Sequence, residues 1–528
     1  MATKAAKAGA VGLGKLGVSR SKDHAHRDVL AVLSRHSRKY WPRLYYANVR
    51  LTTVAGEAET KLHPFLLPHE VLPAMRRHTL CENWERAFGS FVDDHLAEMR
   101  SFFEIPENAT VVPVALHGDG VPYGSRSFDD NSLECFSWNI PGSSWRLPFT
   151  VVQKKHLAQH GTYHDILAIL KWSLQVLCEG VYPAARHNGD IFTDVRDSFR
   201  RKTAGQPLGL FAFLAEVRGD WAWLKQTLAF PQWDEQQGLR YRCTATKITF
   251  RDVSEHAHWR AERVAPLDFH RKLFAANKPV SPLFSASGVS CALVVPDWLQ
   301  CADLGVAAEF LGSALVELRL ASHGSNKEAR LEKNFSRLQL EYALQAVPLQ
   351  NQLRKLTYTM VCMPNSSPKL KATGALVQYA VPVIDALVQK LLASGDVFHQ
   401  TVARASASLA ACYACLQPDA FDVETLRVSA ETFAMLAVAL EAAVLRKDPS
   451  SKHFRVKPKM HYFLEMVCFV IQDRGNPRNF WCYADEALGG VLRDQATHRG
   501  GANSSRKVAE SLLRKHVALQ ALPDFPAP

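Results

Sequence analysis

Val111-Val112-Pro113-Val114-Ala115-Leu116-His117-Gly118-Asp119-Gly120 is an apolar run that stops at an aspartate set between glycines. A second run, Leu208 to Val217, stops in the same way, at Arg218-Gly219-Asp220-Trp221. Short apolar runs bounded by glycine read as strands buried on both faces. A third acid, Glu486, stands in Trp481-Cys482-Tyr483-Ala484-Asp485-Glu486-Ala487-Leu488-Gly489-Gly490, shortly after a Gly475-Asn476-Pro477 turn. Two strand-end aspartates and a later helical glutamate suit a site for two divalent cations, the arrangement that phosphoryl transfer on nucleic acid requires.

Between the two aspartates the pattern continues as α/β. Leu133 to Ile140 and Trp145 to Val152 are two further strand-like runs, parted by Pro141-Gly142-Ser143-Ser144, a hairpin signal. Thr162 to Cys178 places Ile166, Leu167, Ile169, Leu170, Leu174 and Leu177 on one broad helical face, and Thr162 with Asp165 reads as a capping pair at its start. The order β-β-β-α-β, with acids after the first and fourth strands, is that of a ribonuclease H-like mixed sheet. In such a sheet the first and fourth strands are neighbours, so Asp119 and Asp220 are expected side by side.

Outward from this unit the chain divides by composition. Its 528 residues exceed one ordinary core, and 47% hydrophobic with 22% charged residues is the composition of a folded chain. Residues 1–50 carry eleven Lys and Arg against Asp23 and Asp28, most of the net +12, and read as a basic, partly disordered arm. Residues 51–109 read as a helical N-terminal region, with Trp84, Phe88, Phe91 and Leu96 at helical spacing. Residues 110–290 form the first part of the core, and 291–450 a nearly all-helical insertion. Residues 451–500 return to the core with Glu486, and 501–528 form a C-terminal helix and tail.

No uninterrupted apolar run reaches 18 residues, so no membrane span is expected; Phe433 to Leu445 reads as a buried helix. Eleven scattered cysteines argue against a disulfide framework and for a reducing compartment. Cys412 and Cys415 form a C-x-x-C in an alanine-rich helix and read as two small residues on one face. There is no Walker motif, no strand-borne G-x-G-x-x-G and no G-x-S-x-G, which removes support for nucleotide-cofactor and serine-hydrolase readings.

Four phrases, in order, resemble the DDE transposases of the CACTA (En/Spm) type. Leu116-His117-Gly118-Asp119-Gly120-Val121-Pro122 resembles that family's strand-end Asp-Gly phrase. Gly219-Asp220-Trp221 through Cys243 resembles its second aspartate and the cysteine-bearing segment after it. Pro296-Asp297-Trp298-Leu299-Gln300-Cys301-Ala302-Asp303-Leu304-Gly305-Val306 is similar to its middle helix entry. Lys457-Pro458-Lys459-Met460-His461, then Gly475, Trp481 and Glu486, is similar to its terminal block. Two positions depart from the pattern: Thr246 stands where the family has a second cysteine, and Gln300 where it has a histidine.

The resemblance implies metal-dependent DNA strand cleavage and transfer by a D-D-E triad of Asp119, Asp220 and Glu486, in a divergent or domesticated relative of a transposable element's enzyme. The cofactor implied is Mg²⁺ or Mn²⁺, two ions held by these three carboxylates. Asp485 competes with Glu486, but helical neighbours point about 100° apart, so one of them faces the metals, and Glu486 is preferred. Structural zinc is not expected, since Cys243 would have only His256 and His258 to supplement it. DNA is the implied partner and the nucleus the implied location, otherwise the cytoplasm; a homo-oligomer is compatible and a membrane is not implied. The alternative is a non-enzymatic DNA-binding or scaffold protein derived from a transposase. His117 reads as a strand-end histidine hydrogen-bonded to backbone, Trp221, Trp223 and Trp233 as core, and His461 as packed in the final helix pair.

Overall fold

The computed structural model describes residues 41–519, apart from 54–55, 78–89, 124–131, 159, 231–240, 276–279, 321, 323–324, 363–364 and 498–503. Trp84, Phe88, Trp233 and most of the basic arm therefore lie outside the described residues.

The centre is a four-stranded sheet in the order β5-β4-β3-β6. Strand β3 (Val111–Pro122) pairs antiparallel with β4 (Ser132–Asn139), and β4 pairs antiparallel with β5 (Arg146–Gln153). On its other side β3 pairs parallel with β6 (Phe211–Gly219). The strands carrying Asp119 and leading to Asp220 are thus neighbours, as the order of elements predicted. Pro113 is tolerated because the ladder to β4 begins only at Ala115, so the missing N–H falls where β3 has one partner.

Alternation along β3 assigns its two faces. Val112, Val114 and Leu116 share a core with Phe136, Trp138 and helix α3 (His160–Glu179). Val121 joins Leu133, Cys135 and Val151 beneath two C-terminal helices, Tyr483–Thr497 and Ser505–Leu519. The side chain of Asp119, in register with Cys135, belongs to this second face. The predicted capping pair does not form: Asp165 is taken by Arg50, at 2.6 Å, and Thr162 donates to the carbonyl of Arg50.

That contact exposes a correction to the N-terminal boundaries. Tyr45–Thr52 is strand β1 and Ala58–Phe65 is β2, paired as an antiparallel hairpin, where the sequence suggested a free arm and then helices. The alternation Tyr45-Ala47-Val49-Leu51, buried on one side, is a period-two signal that the basic count obscured. The expected helices follow as α1 (Pro68–Arg77) and α2 (Ser90–Phe102).

After β6 comes α4 (Trp221–Leu228), then short helices, then the helical block expected for 291–450. It begins with a π-helical segment, Leu299–Ala307, kinked at Gly305, that runs into α5 (Ala308–Leu320). Helices α6 (Lys327–Leu344), α7 (Gly374–Leu392), α8 (Val397–Ala414) and α9 (Val423–Lys447) complete it around one apolar core. By length and composition three helices, Leu299–Leu320, Gly374–Leu392 and Val423–Lys447, are apolar enough to cross a membrane, although no uninterrupted run met that length. Here they pack against one another and against α10 (Pro458–Glu465). Cys412 and Cys415 are buried free thiols whose pKa values burial raises, and Cys412 donates to the Ser408 carbonyl. The chain then returns to the sheet through α11 (Tyr483–Thr497) and α12 (Ser505–Leu519).

The candidate carboxylate site

The parallel ladder between β3 and β6 ends at the pair Gly118–Gly219, and the next residue on each strand is an aspartate. Both glycines are needed where they are. A Cβ on Gly118 would lie 1.8 Å from the Trp223 ring, and one on Gly219 would lie 2.8 Å from it. Trp223 is buried over this pair and fixes the start of α4. Asp220 is the N-cap of that helix and accepts from the Trp223 N–H at 2.6 Å, which holds its carboxylate beside the strand end.

Glu486 comes to the same edge from the opposite direction. Asp297 accepts from the N–H groups of Leu299 and Gln300, and its Oδ1 also accepts from Cys482 N–H at 2.9 Å. This buried carboxylate therefore ties the π-helical segment to the start of α11. Glu486 N–H donates to the Cys482 carbonyl, and Gln300 Nε2 donates to Glu486 Oε1 at 2.9 Å. One turn further on, Gly489 lets α11 approach β3, since a Cβ there would stand 3.1 Å from Val121.

The adjacent acid has a different environment. Asp485 is fully buried, forms an ion pair with Arg146 at 2.8 Å, and accepts from Arg218 at 3.3 Å and Asn139 at 2.8 Å. Arg218 is also held by Glu216, which in turn meets Arg474 at 3.2 Å. Asp485 thus closes a charge network under the sheet, while Glu486 faces the aspartates.

The three acids lie near enough for Asp220 to act on Asp119, and for Asp119 and Asp220 to act on Glu486. Burial raises the Asp119 pKa to about 6, with Asp220 adding to the rise and the Gly120 N–H and Lys154 opposing it. Burial likewise raises Glu486 to about 7, reinforced by Asp119 and Asp297 and opposed by the Gln300 hydrogen bond. Glu134, on β4 and 3.5 Å from Lys154, is raised to about 7, chiefly by burial. Hard carboxylate oxygens in this setting match Mg²⁺ or Mn²⁺ by donor type. The three carboxylates are electrostatic neighbours rather than a ligand-distance cluster. Among the described residues, the group whose donor atoms all lie within 4.8 Å of one another is Cys243, His461 and Glu465.

That cluster revises the reading of Cys243. His256 and His258 are exposed and pair with Glu255 and Glu262, away from the thiol. Cys243 Sγ instead lies 3.2 Å from His461 Nε2, and His461 lies 3.7 Å from Glu465. Burial acts to raise the Glu465 pKa, but His461, Arg263 and Arg242 outweigh it and hold the carboxyl below its ordinary range. Three donors converge here, whereas a closed zinc site takes four. His461 does pack in the core, edge-on to Trp259.

The remaining sequence candidates fall into place around the edge. His117 is buried beside Ser137, and burial lowers its pKa. Trp223 is core, whereas Trp221 is half-buried and packs on Tyr462 at 4.9 Å. Sequence reading took Gln300 only as a departure from the resembled phrase, and gave no site role to Asp297, Glu134 or Lys154. Gln300 had one signal, its place in the Asp297-Trp298-Leu299-Gln300 helix entry; Glu134 and Lys154 had none, because only strand pairing brings them near Asp119.

No protein-family model matches the chain, and no curated protein is similar to it.

Proposed function

We propose that this protein is a metal-dependent phosphoryl-transfer enzyme acting on DNA strands, with Asp119, Asp220 and Glu486 as its carboxylate triad. The observation that carries the reading is the pairing of Gly118 with Gly219, which sets two aspartates on adjacent strand ends with Glu486 over them. The sheet order, with β3 and β6 parallel and β4 and β5 antiparallel, supports a ribonuclease H-like core. A likeness to CACTA-type transposases remains the family reading behind it, with the nucleus as the site of action.

Asp119, Asp220 and Glu486 would hold the ions through their carboxylate oxygens. Bound Mg²⁺ or Mn²⁺ supplies activation of water or a 3′-hydroxyl and stabilisation of the leaving 3′-oxygen. The protein's part is positional. Trp223 N–H holds Asp220, Gln300 holds Glu486, and Lys154 offsets the charge on Asp119. With pKa values raised to about 6 and 7, Glu486 is about half protonated at pH 7 and Asp119 about one-tenth, so cation binding is coupled to proton release, chiefly from Glu486.

A second reading, a DNA-binding scaffold without catalysis, is favoured by the spread of the three carboxylates beyond mutual ligand distance. One experiment separates the two. Incubation of supercoiled plasmid with the full chain and Mn²⁺ or Mg²⁺ should produce nicked product, and Asp119→Asn should abolish it while DNA affinity stays within threefold. Binding without nicking in either metal would select the scaffold reading.

A further inference from the structure

Beside Asp220 a cavity of about 460 Å³ opens between the sheet and the helical block. Its volume lies in the range of sites that enclose small organic ligands. Trp221, Tyr462, Phe310, Phe433, Phe454 and Val456 give it apolar, largely aromatic walls. Asp220, Asp297 and Gln300 line the end nearest the carboxylate site, so Gln300 belongs both to the cavity and to Glu486.

The polar side of the cavity is cationic. Lys369, Lys457 and Lys459 line it together with a single acid of their own cluster, Glu309. Lys457 lies 2.6 Å and Lys369 3.4 Å from Glu309. The kink at Gly305, non-helical at φ −107° and ψ −109°, presents the Leu304 carbonyl to two ammonium groups, Lys369 at 2.9 Å and Lys459 at 3.4 Å. Lys369 and Lys457 share the Glu309 carboxylate, and Lys369 and Lys459 share the Leu304 carbonyl, so this side of the cavity carries more ammonium groups than carboxylates, while Asp220 and Asp297 stand at the other end. A Cβ on Gly305 would stand 3.0 Å from the Lys459 stem, so glycine is what lets this lysine lie across the kink.

An aromatic-walled cavity with a lysine-rich side, adjoining a carboxylate site, has the chemistry to hold a flat base and its phosphate together. We infer that it takes one unstacked nucleotide of the DNA strand cut at Asp119, Asp220 and Glu486. Its base enters the apolar walls and its flanking phosphate rests on Lys459 and Lys369. This rests on the phosphoryl-transfer reading and adds a substrate requirement: the strand must yield one unpaired nucleotide beside the scissile phosphate. Withdrawing that nucleotide from its stack is unfavourable in a duplex and least so in an already unpaired strand.

The test uses the full chain and a duplex bearing a short oligothymidine flap, with a single abasic site moved stepwise away from the junction. Binding is read by fluorescence anisotropy in Ca²⁺, and cutting in Mn²⁺. Wild-type affinity should fall about tenfold when the abasic site occupies one particular position and little at the others. Ala437→Phe, which fills the cavity, and Lys459→Met, which removes a cation but keeps the stem, should each lose most of that positional sensitivity. Two substitutions are used because the first adds volume to a packed helix and the second does not. Equal affinity at every abasic position would overturn the inference, and if the same complex still cut DNA, the carboxylate reading would stand without it. A position-dependent loss in a protein that never cuts would keep the nucleotide pocket and remove the catalytic reading. No binding to any of these DNAs would remove both.

Discussion

Gln300 donates its side-chain amide to Glu486 at 2.9 Å, joining residues 186 positions apart. One of the two residues that depart from the resembled pattern is thus hydrogen-bonded to Glu486. Its hydrogen bond favours the ionised carboxylate and partly offsets the rise imposed by burial, Asp119 and Asp297. Gln300→Ala should push the Glu486 pKa further up, so the acidic limb of the Mn²⁺-dependent cleavage profile should move to higher pH. Activity at pH 7 should fall by about tenfold and recover in part by pH 8.5. An unchanged profile would show that Gln300 does not act through Glu486.

Neighbours on one helix should give opposite mutational signatures. Removing Asp485 strands Arg146 and Arg218 in the interior, and breaking a buried pair costs about 3–5 kcal/mol. Asp485→Ala should therefore lower the urea midpoint sharply. Glu486→Gln should leave the midpoint the same or higher at pH 8, because it removes a half-buried charge from between like charges, and should abolish cutting. Comparable stability losses in both variants would contradict the division of roles.

The pH dependence has a defined sign. The Asp119 pKa is about 6 in the folded chain against 3.8 for the free side chain, and that of Glu486 is about 7 against 4.5. Between those limits the folded state binds more protons than the unfolded one. The contribution of these groups is then fully present below about pH 4 and is lost as pH rises through 6 to 7. In EDTA, Asp119→Asn should exceed wild type by roughly 1–3 kcal/mol at pH 8, with the gap shrinking at pH 5. Adding Mn²⁺ at pH 8 should stabilise wild type and not the variant. Equal denaturation curves across this range would refute the placement of Asp119 in a crowded acidic site.

Gly118 gives a purely steric prediction. A methyl group there meets the buried Trp223 ring at 1.8 Å, so the packed indole or the strand end must shift. Gly118→Ala should cost about 3 kcal/mol or more by overpacking, read as a lowered thermal midpoint. Gly490→Ala serves as the control, since nothing lies within 4 Å of its added methyl, and in helix α11 it should be neutral or slightly stabilising.

The basic N-terminal stretch can be tested apart from the fold. Residues 1–40 hold nine Lys and Arg against Asp23 and Asp28, and they precede the strand that begins at Tyr45. Deleting them should flatten the slope of log affinity for duplex DNA against log salt, by about one for each phosphate that the stretch neutralises. An identical slope would exclude them as a phosphate-binding element.

The β-β-β-α-β core was legible because local chemistry specified it: apolar runs of strand length, a Pro-Gly turn, a broad helical stripe and glycines before two aspartates. The neighbouring of Asp119 and Asp220 followed from element order. The β1–β2 hairpin was missed because charge counting over residues 1–50 hid a period-two pattern at Tyr45 to Leu51. Other features had no local signature at all. Asp485 and Glu486 are chemically near-equivalent in sequence, and only the buried Arg146 and Arg218 distinguish them. Cys243 had His256 and His258 close by in the chain, yet its partner is His461, 218 positions away. Strand and helix identity are set by side-chain periodicity over a few residues, which a sequence displays directly. Which charge meets which is set by how distant elements pack, and for Asp485, Glu486 and Cys243 the tertiary structure alone decided it.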